Sequence, residues 1–311
     1  MNIQAGKNQT QFSSFGEIII GNIFCPGGFD TSTKYMAVVV AGPLGTVKEQ
    51  AGGVFANKLS KKGMVAIAFD YRTQGESSGT PKNYENPFRK SEDIQNAISY
   101  LNTLGFVDKD RIGSLGICAG GSYSAHAIVG ERRIKAFASV NPYFSLREFV
   151  GYNPMITDEI RDAMLKQSNF ASQKYFETGE TVSSNMLYPD TTQLADLPFP
   201  KADARDIQDY YYDRVGKCWP NFNTNTADMS YEALIKSHAI DCAKDIAVPY
   251  LGIVGSEAIT KPFTDRFYAE ILHDKKEVKV IEGARHVPTY DEDIFVDQAI
   301  DALYEFYSKN L

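Results

Sequence analysis

The feature that most restricts the fold is a recurrence of short, continuous apolar runs, several of them rich in β-branched residues. They are EIIIGNIF (17 to 24), YMAVVVA (35 to 41), MVAIAF (64 to 69), RIGSLG (111 to 116), KAFASVN (135 to 141), PYLGIV (249 to 254) and EVKVI (277 to 281). A strand that is apolar throughout, rather than at alternate positions, is covered on both faces, as in a parallel sheet. Helical patterns near 47 to 62, 90 to 104, 119 to 131, 262 to 272 and 293 to 309 separate the runs. This alternation predicts an α/β protein with a mostly parallel central sheet and helices on both faces.

The rhythm stops between Asn141 and Val248, where about a hundred residues contain helical stretches but no convincing buried strand. This part of the chain holds Tyr210, Tyr211, Tyr212, the only tryptophan (Trp219) and the turn-rich stretch LADLPFPKAD. The strand pattern then resumes and needs the earlier strands as partners, so an insertion explains the gap better than a separate domain. We expect a core of residues 1–145 and 241–311 and a mainly helical cap of 146–240, inserted before PYLGIV. A chain of 311 residues fits one large domain of that kind.

Charge and cysteine usage exclude several function classes. With 32 Lys and Arg against 39 Asp and Glu, the net charge of -7 offers no summed positive field to collect phosphates, so nucleic acid is not expected as a partner. Cys25, Cys118, Cys218 and Cys242 show no C-x-x-C pair or regular spacing, which argues against a disulfide framework or a structural zinc site. They suit a reducing cytoplasm. The first residues, MNIQAGKNQTQFSS, lack an apolar stretch of signal-peptide length, and no run approaches the ~18 apolar residues of a membrane span. A cytoplasmic protein with no membrane association is expected. No metal is expected, for want of a clustered ligand set, and no phosphate-binding glycine motif points to a nucleotide.

The chemistry is concentrated at Gly116-Ile117-Cys118-Ala119-Gly120-Gly121, directly after the strand RIGSLG and directly before a helical pattern. Small residues two before and two after Cys118 are what a tight strand-to-helix turn requires. Such a turn is a nucleophile elbow with cysteine in the serine position. The bland alternative is a buried structural cysteine on a glycine-rich turn. At a helix N-terminus the dipole favours the thiolate, the reactive form.

Topology narrows the base, because the working edge of an open α/β sheet is the carboxyl end of its strands. His273 precedes a strand and lies at the other edge, while His126 is eight residues into the helix after Cys118, roughly 12 Å away at 1.5 Å per residue. His238 falls in the insertion or its return and is not placed by the sequence. His286, in GARHVPTYD just past the last strand, is the expected base. An orienting carboxylate belongs on the loop after the preceding strand, where Glu257 follows PYLGIV, with Asp265 in reserve. Oxyanion donors are expected at the backbone N–H of Ala119 and, on the loop after YMAVVVA, of Leu44.

Together these residues resemble the α/β-hydrolase superfamily and, within it, the dienelactone hydrolase-like enzymes that use cysteine. GPLGTVKEQ (42 to 50), AFDYRTQGES (68 to 77), RIGSLGICAGG (111 to 121), RRIKAFASVNP (132 to 142), VGSEA (254 to 258) and GARHVPTYD (283 to 291) are similar to a group of bacterial cysteine hydrolases and related fungal polyketide transferases. The resemblance implies a cofactor-free acyl-enzyme mechanism with Cys118 as nucleophile, His286 as base and Glu257 as acid. One departure stands out. The superfamily acid is commonly an aspartate three residues after the strand-end glycine, whereas Ala258 is third after Gly255 and Glu257 second. Asp70 and Arg72 are in a segment that resembles the superfamily's D-x-R-G-x-G-x-S turn and are expected to be structural. Lys48 and Glu49 are read as helix-start residues.

The expected function is hydrolysis of carboxylic esters, lactones or thioesters of a small-molecule acyl substrate through a Cys-His-Glu triad. An acyltransferase using the same triad is the alternative, since an acceptor other than water can intercept a thioester acyl-enzyme. A ligand-binding protein that kept the fold and lost the chemistry is the third reading. A homo-oligomer is left open.

Overall fold

The computed structural model describes residues 3–154, 156–185 and 201–311. Eight strands form one sheet in the order β1-β2-β4-β3-β5-β6-β9-β10. They are β1 (Gly6–Ser14), β2 (Glu17–Cys25), β3 (Tyr35–Ala41), β4 (Val65–Phe69), β5 (Val107–Ile117), β6 (Ile134–Val140), β9 (Tyr250–Gly255) and β10 (Lys276–Ile281), with a separate pair β7 (Ser183–Ser184) and β8 (Thr226–Ala227). β1 and β2 run antiparallel to each other and β2 antiparallel to β4; every other neighbour in the large sheet is parallel.

Val38, Val39, Val40, Ala66, Ile67, Leu115, Ala138 and Ile253 are sealed on both sides of this sheet, as continuous apolar strands require. The covering helices are α1 (Ala51–Lys61) and α9 (Asp293–Asn310), which pack against each other, and α2 (Pro87–Thr103) and α3 (Ala119–Ile128), which pack together likewise; α8 (Lys261–Glu270) lies on β9 and β10. This is the doubly covered α/β sheet expected from the strand pattern.

β1 was not expected. In GKNQTQFSS only Thr10, Phe12 and Ser14 turn inward, so the segment reads as polar, yet its nine residues pair in register with β2 from Gly6↔Cys25 to Ser14↔Glu17. An edge strand with one buried face carries half the apolar signal of a central one.

Between β6 and β9 lie α4 (Leu146–Val150), α5 (Asp158–Thr178), α6 (Lys201–Gln208), α7 (Ser230–Leu234), β7 and β8. Tyr210 and Tyr211, just after α6, are buried, and Tyr210 Oη accepts a hydrogen bond from Ala51 N at 2.9 Å, at the start of α1. Most of LADLPFPKAD is outside the described residues.

Candidate active site

The residue that joins β5 to α3 is Cys118, whose backbone has φ 55° and ψ −123°. A non-glycine residue there carries backbone strain of about 1–3 kcal/mol, tolerated only where the surroundings fix it. Here they do: Cys118 N donates to Val140 O at 3.0 Å, and Cys118 O accepts from Tyr143 N at 2.9 Å and Gly121 N at 3.0 Å. The flanking glycines are sterically required, since a Cβ on Gly116 would stand 2.5 Å from Gly120 O and one on Gly120 would stand 2.1 Å from Ala41 O. The chain therefore turns sharply at the carboxyl end of the sheet and holds the thiol there.

His286 follows β10 on the same edge. Asn141, at the end of β6, donates to His286 O at 3.0 Å and to Thr289 Oγ1 at 2.7 Å, while accepting from Gly255 N at 2.9 Å. One amide side chain thus ties the histidine loop to two strands. His286 Nε2 comes within 3.4 Å of Cys118 Sγ and 2.8 Å of the Tyr290 hydroxyl. The structure brings Cys118 and His286 together.

It does not bring Glu257 to the imidazole. His286 Nδ1 is 3.0 Å from Thr260 Oγ1, which occupies the place expected for a carboxylate. After β9 the chain closes a turn, Ala258 N donating to Gly255 O and Glu257 N to Ala284 O, both at 3.1 Å. The Glu257 side chain is exposed at this turn, and the backbone comes back inward only at buried Thr260. Asp265, the reserve, is exposed on α8 and paired with Lys261 at 2.8 Å. Among the described residues no carboxylate charge supports the imidazole: burial pushes His286 down to about 3.

The thiol is neutral for the same reason. Burial pushes Cys118 up to about 11, against hydrogen bonds from Tyr290 and from the backbone N–H groups of Ala119 and Leu44, which pull it down. The thiolate expected from the helix N-terminus is outweighed by desolvation. Both expected oxyanion donors, Ala119 N–H and Leu44 N–H, converge on the sulfur. Around them Tyr143, Leu146, Phe149, Ile207, Tyr211, Ile259, Val287 and Tyr290 line an apolar cavity of about 60 Å³. The Tyr143 ring stands edge-on to the imidazole, centroids 5.5 Å apart.

Thr260 and Tyr290 were not singled out from the sequence. Tyr290 is four residues beyond His286 in GARHVPTYD, and only the short helix Pro288–Tyr290 reveals that it turns back to the imidazole. The remaining candidates are elsewhere. Lys48 precedes α1 and is buried on Asp70 (3.0 Å), Glu49 (2.9 Å) and Glu76, and Arg72 pairs with Asp93 at 2.7 Å, so Asp70 and Arg72 are structural. His126 contacts Ser237 and Cys242, and His238 contacts Ser145. Among the described residues no three His, Cys, Asp or Glu side chains could share a metal ion, and no helix is long and apolar enough to cross a membrane.

Comparison with known proteins places the fold in a family. Residues 36–293 match the family model described as serine aminopeptidase, S33. Protein YcjY of Escherichia coli strain K12 is 32% identical over 93% of this chain and 93% of its own. The crystal structure of protein PA2218 of Pseudomonas aeruginosa superposes with a TM-score of 0.86 at 25% identity, covering 100% of this chain and 95% of that one. More distant relatives are thiohydrolase aneE of Aspergillus aculeatus, 23% identical over 80% of this chain and 78% of its own, and polyketide transferase claH of Penicillium crustosum, 22% identical over 88% of each. By fold and by family match, the chain belongs to the serine aminopeptidase S33 family of α/β-hydrolases, with Cys118 on its elbow.

Proposed function

We propose that the protein is a cysteine-dependent acyl hydrolase, acting on esters, lactones or thioesters through a Cys118 acyl-enzyme. The observation that carries this reading is a strained elbow thiol 3.4 Å from a buried imidazole, with two backbone N–H groups converging on it. The Cys118 sulfur attacks the substrate carbonyl as its proton leaves for His286. Ala119 N–H and Leu44 N–H hold the oxygen that becomes negative. Collapse expels the leaving group, which takes the proton from the imidazolium, and water activated by His286 releases the acid. Thr260 accepts from Nδ1–H and fixes the tautomer that leaves Nε2 free as acceptor. The dienelactone hydrolase-like character and a cytoplasmic location, for which the free thiols speak, belong to the same reading.

The described part of the segment 146–240 is read as a cap on this site, since Leu146, Phe149, Ile207 and Tyr211 line an apolar cavity that suits an uncharged acyl group. That lining also favours a second reading, acyl transfer, because a mostly apolar wall offers water few hydrogen-bond partners and lets less polar acceptors compete. A relative named as a polyketide transferase points the same way. The substrate is a small molecule; neither nucleic acid nor a membrane enters the reading, and self-association is left to a sizing measurement.

The test is intact-protein mass spectrometry after brief exposure to p-nitrophenyl esters and acyl thioesters. An acyl adduct on Cys118, absent in Cys118→Ala and at least ~10²-fold slower in His286→Ala, is expected. Decay of the adduct in water against decay with added alcohols, amines or thiols separates hydrolase from transferase. Absence of any adduct across the panel, with no turnover, would favour a binding protein.

A further inference from the structure

We propose that Tyr290 is a catalytic residue that relays the thiol proton from Cys118 to His286; this rests on the acyl-enzyme reading above. Its hydroxyl is 2.8 Å from His286 Nε2, nearer than the sulfur at 3.4 Å, and it hydrogen-bonds that sulfur as well. The Tyr211 hydroxyl also reaches it. The tyrosine is 1% exposed, its ring edge-on to the imidazole at 5.5 Å and to Tyr210 at 5.2 Å, so the oxygen is held between the two reacting groups.

One arrangement of the protons lets the relay run. Neutral Nε2 offers a single lone pair, so it takes a proton from Tyr290 O–H or from Cys118 S–H, and the shorter contact is the tyrosine's. A phenol oxygen offers two lone pairs and one proton. With the thiol neutral, Tyr290 donates to His286 Nε2 and accepts from Cys118 S–H, while His286 Nδ1–H donates to Thr260 Oγ1; once the sulfur has lost its proton, the Tyr290 hydroxyl donates to it instead.

The step balances without a co-reactant. As the sulfur–carbon bond forms, the S–H bond breaks and its proton goes to the Tyr290 oxygen. The proton already on that oxygen moves to Nε2, and the phenol is neutral before and after. Burial holds the Tyr290 hydroxyl well above its ordinary value, so it serves as a relay and not as a base. The imidazolium proton then leaves with the departing group as its bond to carbon breaks.

The experiment is single-turnover acylation of the full chain by p-nitrophenyl acetate, followed by mass and by solvent proton inventory, for the wild type and Tyr290→Phe. Expected are a curved, two-proton inventory in the wild type and, in Tyr290→Phe, a rate about 10²-fold lower or less with unchanged half-saturation and a linear inventory. A Tyr290→Phe rate within threefold of the wild type, or above it, overturns the relay, the latter meaning that the hydroxyl obstructs His286. Should the variant not fold, the wild-type inventory decides: curvature supports the relay and linearity overturns it. A wild type that forms no Cys118 adduct overturns the acyl-enzyme reading and the relay with it, whereas an adduct formed at equal rates in both proteins overturns the relay alone.

Discussion

A neutral hydroxyl on His286 Nδ1 helps this imidazole less than a carboxylate would. A carboxylate stabilises the imidazolium by charge, whereas Thr260 Oγ1, 3.0 Å away, can only orient the ring by accepting a hydrogen bond. A thiol tolerates that weaker support because it is a stronger acid than an alcohol. Two substitutions divide the roles. Thr260→Val leaves a buried N–H without an acceptor, a cost of about 1–3 kcal/mol, and kcat should fall about tenfold or more with KM little changed. Glu257→Gln should leave kcat/KM within about twofold; a large loss there in steady-state assays with a p-nitrophenyl ester would restore Glu257 to the triad. Cys118 and His286 were readable from the sequence because each follows a strand at the working edge, on a turn with its own signature. Thr260 and Tyr290 were not, because their roles depend on which side chain a short turn sends inward, and neither turn has a residue pattern that declares it.

At the scale of elements, one buried carboxylate links the pieces that shape the oxyanion site. Glu85 Oε2 accepts from Gly45 N at 3.1 Å, next to Leu44, and Oε1 accepts from Tyr123 on α3 at 2.6 Å and pairs with Lys90 on α2 at 2.6 Å. The Lys90 ammonium also sits 4.4 Å and 5.0 Å from the ring centroids of Tyr71 and Tyr123. Removing one member of such a pair leaves a buried charge uncompensated, which costs about 3–5 kcal/mol. Glu85→Ala should lower unfolding free energy by that amount in urea titrations, and Glu85→Ala with Lys90→Met should recover part of it, because the stranded charge is gone. A double-variant loss equal to the sum of the losses in Glu85→Ala and Lys90→Met alone would mean that the pair is not coupled. The central strands and the five helices packed on them were readable from continuous apolar runs and helical periodicity. This ion pair and the edge strand β1 were not, since each depends on long-range contacts whose residues look like ordinary surface polars.

For the whole molecule, the described residues between β6 and β9 are tied to the α/β core by Arg285–Asp206 (2.6 Å), Arg266–Glu148 (2.8 Å) and Arg214–Asp291, all partly exposed and individually weak, while the interior carries groups that burial keeps uncharged. These interior groups set the pH range of stability. His286 is held near 3 and His126 near 4, against an ordinary value of 6.5, chiefly by burial. Between those limits the unfolded chain binds more protons than the native one, so stability is present above about 6.5 and falls as the pH drops. At about 1.4 kcal/mol per unit, each histidine removes about 2 kcal/mol between pH 6.5 and 5. Asp70 and Asp93, raised by burial, have the opposite sign and offset part of the loss at lower pH. On the alkaline side Cys118 and Cys242 are raised from 9.0 to about 11, so their contribution is complete below 9 and is lost as the pH rises through 11. His126 is remote from the thiol, which makes His126→Gln a clean test. Urea unfolding at pH 7 and pH 5 should show the variant losing about 2 kcal/mol less than the wild type between the two. Equal losses would mean that His126 takes up its proton in the folded protein, and that the contacts with Ser237 and Cys242 open to water before the fold does.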